Sequence, residues 1–243
     1  MQFSDSTNKS GLVEKINFEC DSDNTNYPLA DKARELNIAL ETVEGWIRQA
    51  DGVWQFDDEN YSTIPEGTTD LVVGQSDYSF ANTFLDVEWV KIKNTGGYWQ
   101  LIPPVDQSMT DRPLEDWLIA NAFPVMYDKV GDTIRLYPAP AAGVVTLTGG
   151  MKVGFKRPAS LFSADGSDTT ATPGFAIPYH VILAYMASIS YCAKYKKDRV
   201  AELLRRIGDT IPPTGLKRDI IDFYSNRSRD EAKKMTMRPI TFR

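Results

Sequence analysis

A chain of 243 residues with 42% hydrophobic and 25% charged content can bury the core of one large domain or of two small ones. Its net charge of −6 is uneven, with 14 Lys/Arg against 7 Asp/Glu in residues 190–243 and 13 against 26 in the rest, and so acidic a body argues against a general nucleic-acid binder, which needs clustered cations. No apolar run approaches the roughly 20 residues of a membrane helix, and the opening Met1-Gln2-Phe3-Ser4-Asp5 lacks the basic and apolar stretches of a secretory signal.

Residues 1–10 are polar and are expected as a flexible arm. Gly11 to Cys20 fits a short helix with Leu12, Val13, Ile16 and Cys20 on one side and Phe18 off the stripe. Asp21 to Asn26 reads as a polar loop. A long helix then spans Pro28–Ala50. Pro28 suits a first turn, where its missing N–H is not needed, and Asp31 sits near the positive end of the helix dipole. Leu29, Ala33, Leu36, Leu40, Val43, Ile47 and Ala50 recur at steps of three and four, a seam that requires another helix against it, from the same chain or a neighbouring copy. Asp51-Gly52 supplies the stop, and residues 51–58 hand the chain to a β-rich region.

From Tyr61 to Lys156 the period changes from 3.6 to 2. Leu71-Val72-Val73, Leu85–Lys93, Trp99–Ile102 and Val125–Val130 are strand-like. Asn94-Thr95-Gly96-Gly97 and Gly131-Asp132 read as hairpin turns. Thr133–Tyr137 follows the second, and Pro138-Ala139-Pro140 ends it. Val144–Leu147 and Lys152–Phe155 supply a further strand or pair, while Pro113–Asn121 reads as a short helix capped by Asp111. Ala164 to Gly174, rich in Asp, Ser, Thr and Gly, is the clearest linker. Helices return at Pro178–Tyr195, at Asp198–Ile207 and, past the Pro212-Pro213 break, at Thr214–Lys233, the last with Leu216, Ile220, Phe223 and Tyr224 on one face. The expected fold is α+β: a helical bundle with an inserted antiparallel β domain, sandwich- or barrel-like, and extended terminal arms. Its parts are 1–60 (arm and first bundle helices), 61–163 (β insertion), 164–234 (C-terminal bundle helices) and 235–243 (C-terminal arm).

Catalytic and metal patterns are sparse. His180 is the only histidine, beside Tyr179 at a helix start, and reads as a capping or partly buried residue rather than a member of a triad. No nucleophile elbow, H-E-x-x-H, phosphate-binding loop or C-x-x-C occurs. Gly149-Gly150 and Gly154 lie among strand residues and mark a turn or bulge. Asp57-Asp58, Asp106, Asp165 and Asp168 lack calcium-loop spacing. Cys20 and Cys192 read as free thiols packed as small hydrophobes in a protein made in a reducing compartment. Trp46, Trp54, Trp89, Trp99 and Trp117 read as core or subunit interface rather than a sugar-stacking platform. No cofactor, metal or enzymatic activity is expected.

Several segments, in order, carry a resemblance. They are Tyr27-Pro28-Leu29-Ala30-Asp31-Lys32, Asp51-Gly52-Val53-Trp54-Gln55-Phe56-Asp57-Asp58, Gly96-Gly97-Tyr98-Trp99, Tyr137-Pro138-Ala139-Pro140, Pro173-Gly174-Phe175-Ala176, and residues 223–231 beginning Phe223-Tyr224-Ser225-Asn226. Each is a turn, a cap or a strand end; their colinear combination resembles the head-to-tail connector (adaptor or neck) proteins of tailed bacteriophages. The resemblance implies a helical bundle interrupted by a β domain. It implies a ring, expected to hold twelve copies, beneath the portal of the virion neck, in a protein made in the host cytoplasm. Its partners are then other copies of itself, the portal protein and the next neck or tail protein, with genomic DNA passing through the channel without specific binding. An acidic wall would repel phosphates and let DNA slide. The basic, extended end is the expected portal-contacting arm, with Lys233, Lys234, Met235, Met237, Arg238, Pro239, Ile240, Phe242 and Arg243 as its contacts. The rival reading is a carbohydrate-binding tail accessory protein that uses the β-domain aromatics.

Overall fold

The chain was analysed as a computed structural model, which describes residues 1–50, 65–81, 86–106, 113–208 and 214–231. It divides into two units, Thr63–Pro158 and the rest, Met1–Ser62 with Ala159–Arg243.

Helical periodicity builds the second of these. Helix α1 (Leu12–Cys20) buries Leu12, Val13, Ile16 and Cys20 and leaves Phe18 in solvent. Helix α2 (Leu29–Ala50) buries Ala33, Leu36, Leu40, Val43 and Ile47, as its three-four spacing requires, and adds Ala39 to that face. Helix α3 (Val181–Tyr195) packs against both and is followed by α4 (Lys197–Ile207) and α5 (Gly215–Glu231). The last helix buries Ile220 and Tyr224, while Phe223 is partly exposed and packs its ring on Tyr179. Gly208 ends α4 in the left-handed region at φ 74°, with the Thr214 carbonyl where a side chain would stand, so that only glycine fits.

The buried charged groups of this unit have partners. Lys32 is fully buried and its ammonium donates to Asn17 Oδ1, to Asn24 Oδ1 at 2.8 Å and to the Asp23 carbonyl at 3.3 Å. Burial pulls its pKa down to about 8, and the three acceptors match the three protons it carries below that pH. The loop after α1 therefore wraps a cation. Tyr27 stacks on Tyr191 of α3 at 4.7 Å and donates its hydroxyl to the Ala187 carbonyl at 3.1 Å.

The expectation of a flexible N-terminal arm is corrected. Phe3 is fully buried against Phe162, and its N–H donates to the Ala171 carbonyl at 2.7 Å. Ser4 pairs likewise with Thr169, and Glu14 accepts from the Ser4 hydroxyl and the Asp5 N–H. Phe3, with Met1 packed beside the same core and the polar bonds of Ser4 and Asp5, docks the decamer.

Asn37 and Glu44, seven residues apart on α2, hold the chain where it re-enters the helical unit. The Asn37 amide donates to the Phe162 carbonyl at 3.0 Å and accepts from the Phe162 N–H at 2.9 Å. Glu44 accepts from the Ala159 N–H at 3.1 Å and is paired with Arg48 at 2.6 Å.

The β unit is a two-sheet sandwich. Strands β1 (Glu66–Thr69), β2 (Asp77–Ser79), β3 (Asp86–Lys93), β4 (Trp99–Ile102), β5 (Met126–Val130), β6 (Thr133–Tyr137) and β7 (Met151–Lys156) form antiparallel sheets ordered β1-β7-β3-β4 and β2-β6-β5. Val90, Ile92, Ile102, Met151 and Val153 of the first face Tyr78, Tyr127, Ile134 and Leu136 of the second. Both hairpin turns stand where expected, after Lys93 and after Val130. Leu71-Val72-Val73 and Val144–Leu147 are not strands; their apolar content comes from Leu71 and Val145, which are buried in loop positions. In their place the polar segments β1 and β2 pair as edge strands, with Asp77 bound to Arg135 across the pair at 2.6 Å. The short helix at 113–121 is a 3-10 turn, Leu114–Leu118. The 51–58 exit, Asp111 and Pro212-Pro213 lie outside the described residues.

Two outcomes follow for stability. Asn37→Ala leaves the Phe162 N–H and carbonyl without their partner and is expected to destabilise the helical unit by about 1–3 kcal/mol in a denaturant titration. Cys20 and Cys192 bring their sulfurs to 3.8 Å in the core, and burial pushes the Cys20 thiol up to about 12. Neither thiol is expected to react with an aromatic disulfide reagent near about pH 8 until denaturant is added, when both should react.

Candidate functional site

The described surface offers two places with partner chemistry. The first lies on the helical unit. Besides its buried seam, α2 carries Glu35, Ile38 and Trp46 toward Met186 and Ile189 of α3 and Leu204 of α4, and these six residues wall an open cleft of about 170 Å³. Ile38 and Leu204 are half exposed at its rim. Its polar feature is a 2.6 Å hydrogen bond from the Ser190 hydroxyl to the Glu35 carboxylate. The cleft can take apolar side chains.

The second is the outward face of the sheet β1-β7-β3-β4. Because side chains alternate along a strand, Lys91 and Lys93 of β3 point outward with Trp99 and Leu101 of β4 and Lys152 of β7. Trp89 joins them by the same alternation, just after a β-bulge between Val87 and Trp89, and its indole lies on Gly154, where any side chain would collide with the ring. The Lys91 ammonium sits 4.2 Å above the Trp89 ring; those of Lys93 and Lys152 sit 5.6 and 5.5 Å from Trp99. Tyr98 and Leu101 are 74% and 64% exposed beside them. Trp89, Lys91 and Lys93 already showed this face as an alternate-residue row within the predicted strand, a signal that the sequence reading passed over.

Within the β unit, the described tryptophans place two of their number on one sheet face. Trp46 lies on α2 under Lys217, Trp117 lies in the 3-10 turn, Trp54 is outside the described residues, and only Trp89 and Trp99 share a face, each with a lysine over its ring. A second cavity, about 180 Å³ between the sheets, is lined by Phe80, Ile134, Met151, Phe155 and small hydroxyl residues of β1 and β2. It carries no charged side chain.

The other sequence candidates occupy structural positions. Asp165 and Asp168 each accept from backbone N–H groups two residues on and so shape their own loop. Among the described residues no group of three His, Cys, Asp or Glu is placed to hold a metal ion, and no helix is long and apolar enough to cross a membrane. Lys233, Lys234, Met235, Met237, Arg238, Pro239, Ile240, Phe242 and Arg243 lie outside the described residues.

His180 is buried just ahead of α3. Its Nε2 lies 2.6 Å from the Phe175 carbonyl and its Nδ1 2.7 Å from the Met1 nitrogen, an arrangement met when Nε2–H donates and Nδ1 accepts. Burial lowers its pKa from 6.5, and the positive Met1 amine adds to that. A base whose folded pKa is depressed binds fewer protons folded than unfolded, so stability is lost as pH falls below 6.5 toward the folded value. Thermal melts from neutral pH to about pH 5 are expected to show this loss, and His180→Gln is expected to flatten it while lowering stability at neutral pH by about 1–3 kcal/mol.

No curated protein matches this chain. A family model does, that of the SU10 adaptor protein, over residues 8–223, which takes in both the helical unit and the β insertion. The chain therefore belongs to the SU10 adaptor protein family, a bacteriophage adaptor family, and its role is that of a structural adaptor of the virion.

Proposed function

We propose that the protein is a non-enzymatic connector of the virion neck, forming a ring of twelve copies under the portal that extends the DNA channel and docks the next neck or tail component. The observation that carries this reading is the family match across both units. Two features support it. Each unit keeps exposed apolar side chains beside a satisfied core, Ile38 and Leu204 on the helices and Tyr98 and Leu101 on the sheet, as a subunit needs when it buries further surface on assembly. The acidic body, with 26 acidic against 13 basic residues outside 190–243, would let DNA pass without adhering.

The basic stretch Lys233–Arg243 is the proposed portal-contacting arm, in which Lys233, Lys234, Arg238 and Arg243 are interspersed with Met235, Met237, Ile240 and Phe242. Purified protein mixed with the portal of the same phage is expected to form a discrete ring complex by mass photometry. Deleting residues 234–243 is expected to leave the melting temperature unchanged and to weaken portal binding by about tenfold or more. Undiminished binding by the truncated chain would remove the arm from the interface.

A further inference from the structure

We propose that the outward face of the sheet β1-β7-β3-β4 is the docking surface for a second copy of this chain, which presents to it the acidic, apolar turn at residues 114–119. The inference deepens the ring reading and rests on it.

The face carries two lysines, Lys91 and Lys93, that no carboxylate among the described residues pairs. Lys91 and Lys152 are register partners on adjoining strands, so that two like charges stand side by side, an arrangement that weakens a sheet. Lys152 reaches Glu66 at 3.1 Å, but among the described residues neither Lys91 nor Lys93 is ion-paired. Beneath the ammonium groups lies an apolar floor of indole rings, lysine stems and Leu101. Such a surface calls for a ligand with carboxylates and large apolar groups together.

The same unit carries that ligand. The 3-10 turn Leu114–Leu118 packs on β6, in the other sheet. It exposes Glu115 and Asp116, neither of them ion-paired among the described residues, and next to them Ile119 at 81% and Leu118 at 36% exposure. The turn therefore packs on one sheet of the sandwich and the lysine row belongs to the other, and no ion pair joins the two among the described residues. Between copies they match in charge and in apolar content, and a contact between two different patches is the heterologous kind that repeats head to tail and closes into a ring. A nucleic-acid backbone would also attract the lysines, but it offers nothing to Leu101 and Tyr98 and leaves the Glu115–Ile119 turn unexplained. Covering the lysines with a neighbour's carboxylates also removes a phosphate-binding patch from a particle through which DNA must slide.

The test is a charge swap in the full chain, assayed under whichever condition gives wild-type rings, alone or on portal. Lys91→Glu with Lys93→Glu, and separately Glu115→Lys with Asp116→Lys, are each expected to lower ring yield by about tenfold or more, and the four changes together to restore it to within about threefold of wild type. Unchanged melting temperatures confirm that the variants fold, and rescue by the combined variant is a result that misfolding does not give. Wild-type yield from K91E/K93E, or no rescue, overturns the proposal while the ring reading stands. If K91E/K93E forms rings normally but loses retention of a short DNA duplex that wild type retains, the face binds nucleic acid and the proposal is likewise overturned. If the wild-type chain forms rings under neither condition, the ring reading fails and this inference falls with it.

Discussion

A chain that leaves a helical bundle to build a separate sandwich must be caught when it comes back, and here α2 does the catching with side chains. The returning backbone at residues 159–162 lies in neither helix nor strand, so its buried N–H and carbonyl groups have no ladder to satisfy them. Asn37 and Glu44 provide that satisfaction from one face of a helix already fixed by its apolar seam. Phe162 is thereby set under Phe3, and Phe3 in turn pairs with the loop at 169–171. The opening segment, the long helix and the return strap thus form one cooperative cluster, with α3 laid against it through Tyr27 and His180.

The polar groups of the helical unit follow a single rule. Lys32, Glu19, Glu44, His180 and Ser188 are all buried, and all have partners: three acceptors for Lys32, Lys15 and Arg206 for Glu19, Arg48 and a backbone N–H for Glu44, two backbone positions for His180 and the Ala184 carbonyl for Ser188. Against that background the row of lysines on the outer sheet face stands apart. Among the described residues, Lys91 and Lys93 have ring partners but no carboxylate, and they stand where another molecule can reach them.

Much of this was legible in the residues. The three-four spacing of α2 and the alternation in β3, β5, β6 and β7 gave the α+β plan, and glycine-bearing turns located both hairpins, because these features depend on local geometry. What failed depends on tertiary context. Val72 and Val73 looked like strand and are surface loop, while Glu66–Thr69 and Asp77–Ser79 are polar yet pair, since an edge strand takes its hydrogen bonds from a neighbour and needs little apolar content of its own. The polar N-terminus hid its buried aromatic anchor, Phe3. Lys32 sat within a recognised motif, but nothing local announces that a lysine will be wrapped by asparagines that precede it by fifteen and eight residues. The family resemblance, by contrast, rests on turns and strand ends in sequence, and among the described residues the start of α2, the turn after Lys93 and the end of β6 at Tyr137 stand where they are expected.

The strap held by Asn37 and Glu44 has one more implication, which concerns how such a protein can change. The helical unit closes on the returning strap with its own side chains, so these bonds set no requirement on what is threaded between the end of α2 and residue 159. The sandwich is then an exchangeable cassette. Its loops and outer face can diverge to suit a new assembly, or be replaced outright, while the bundle keeps folding around the same seam.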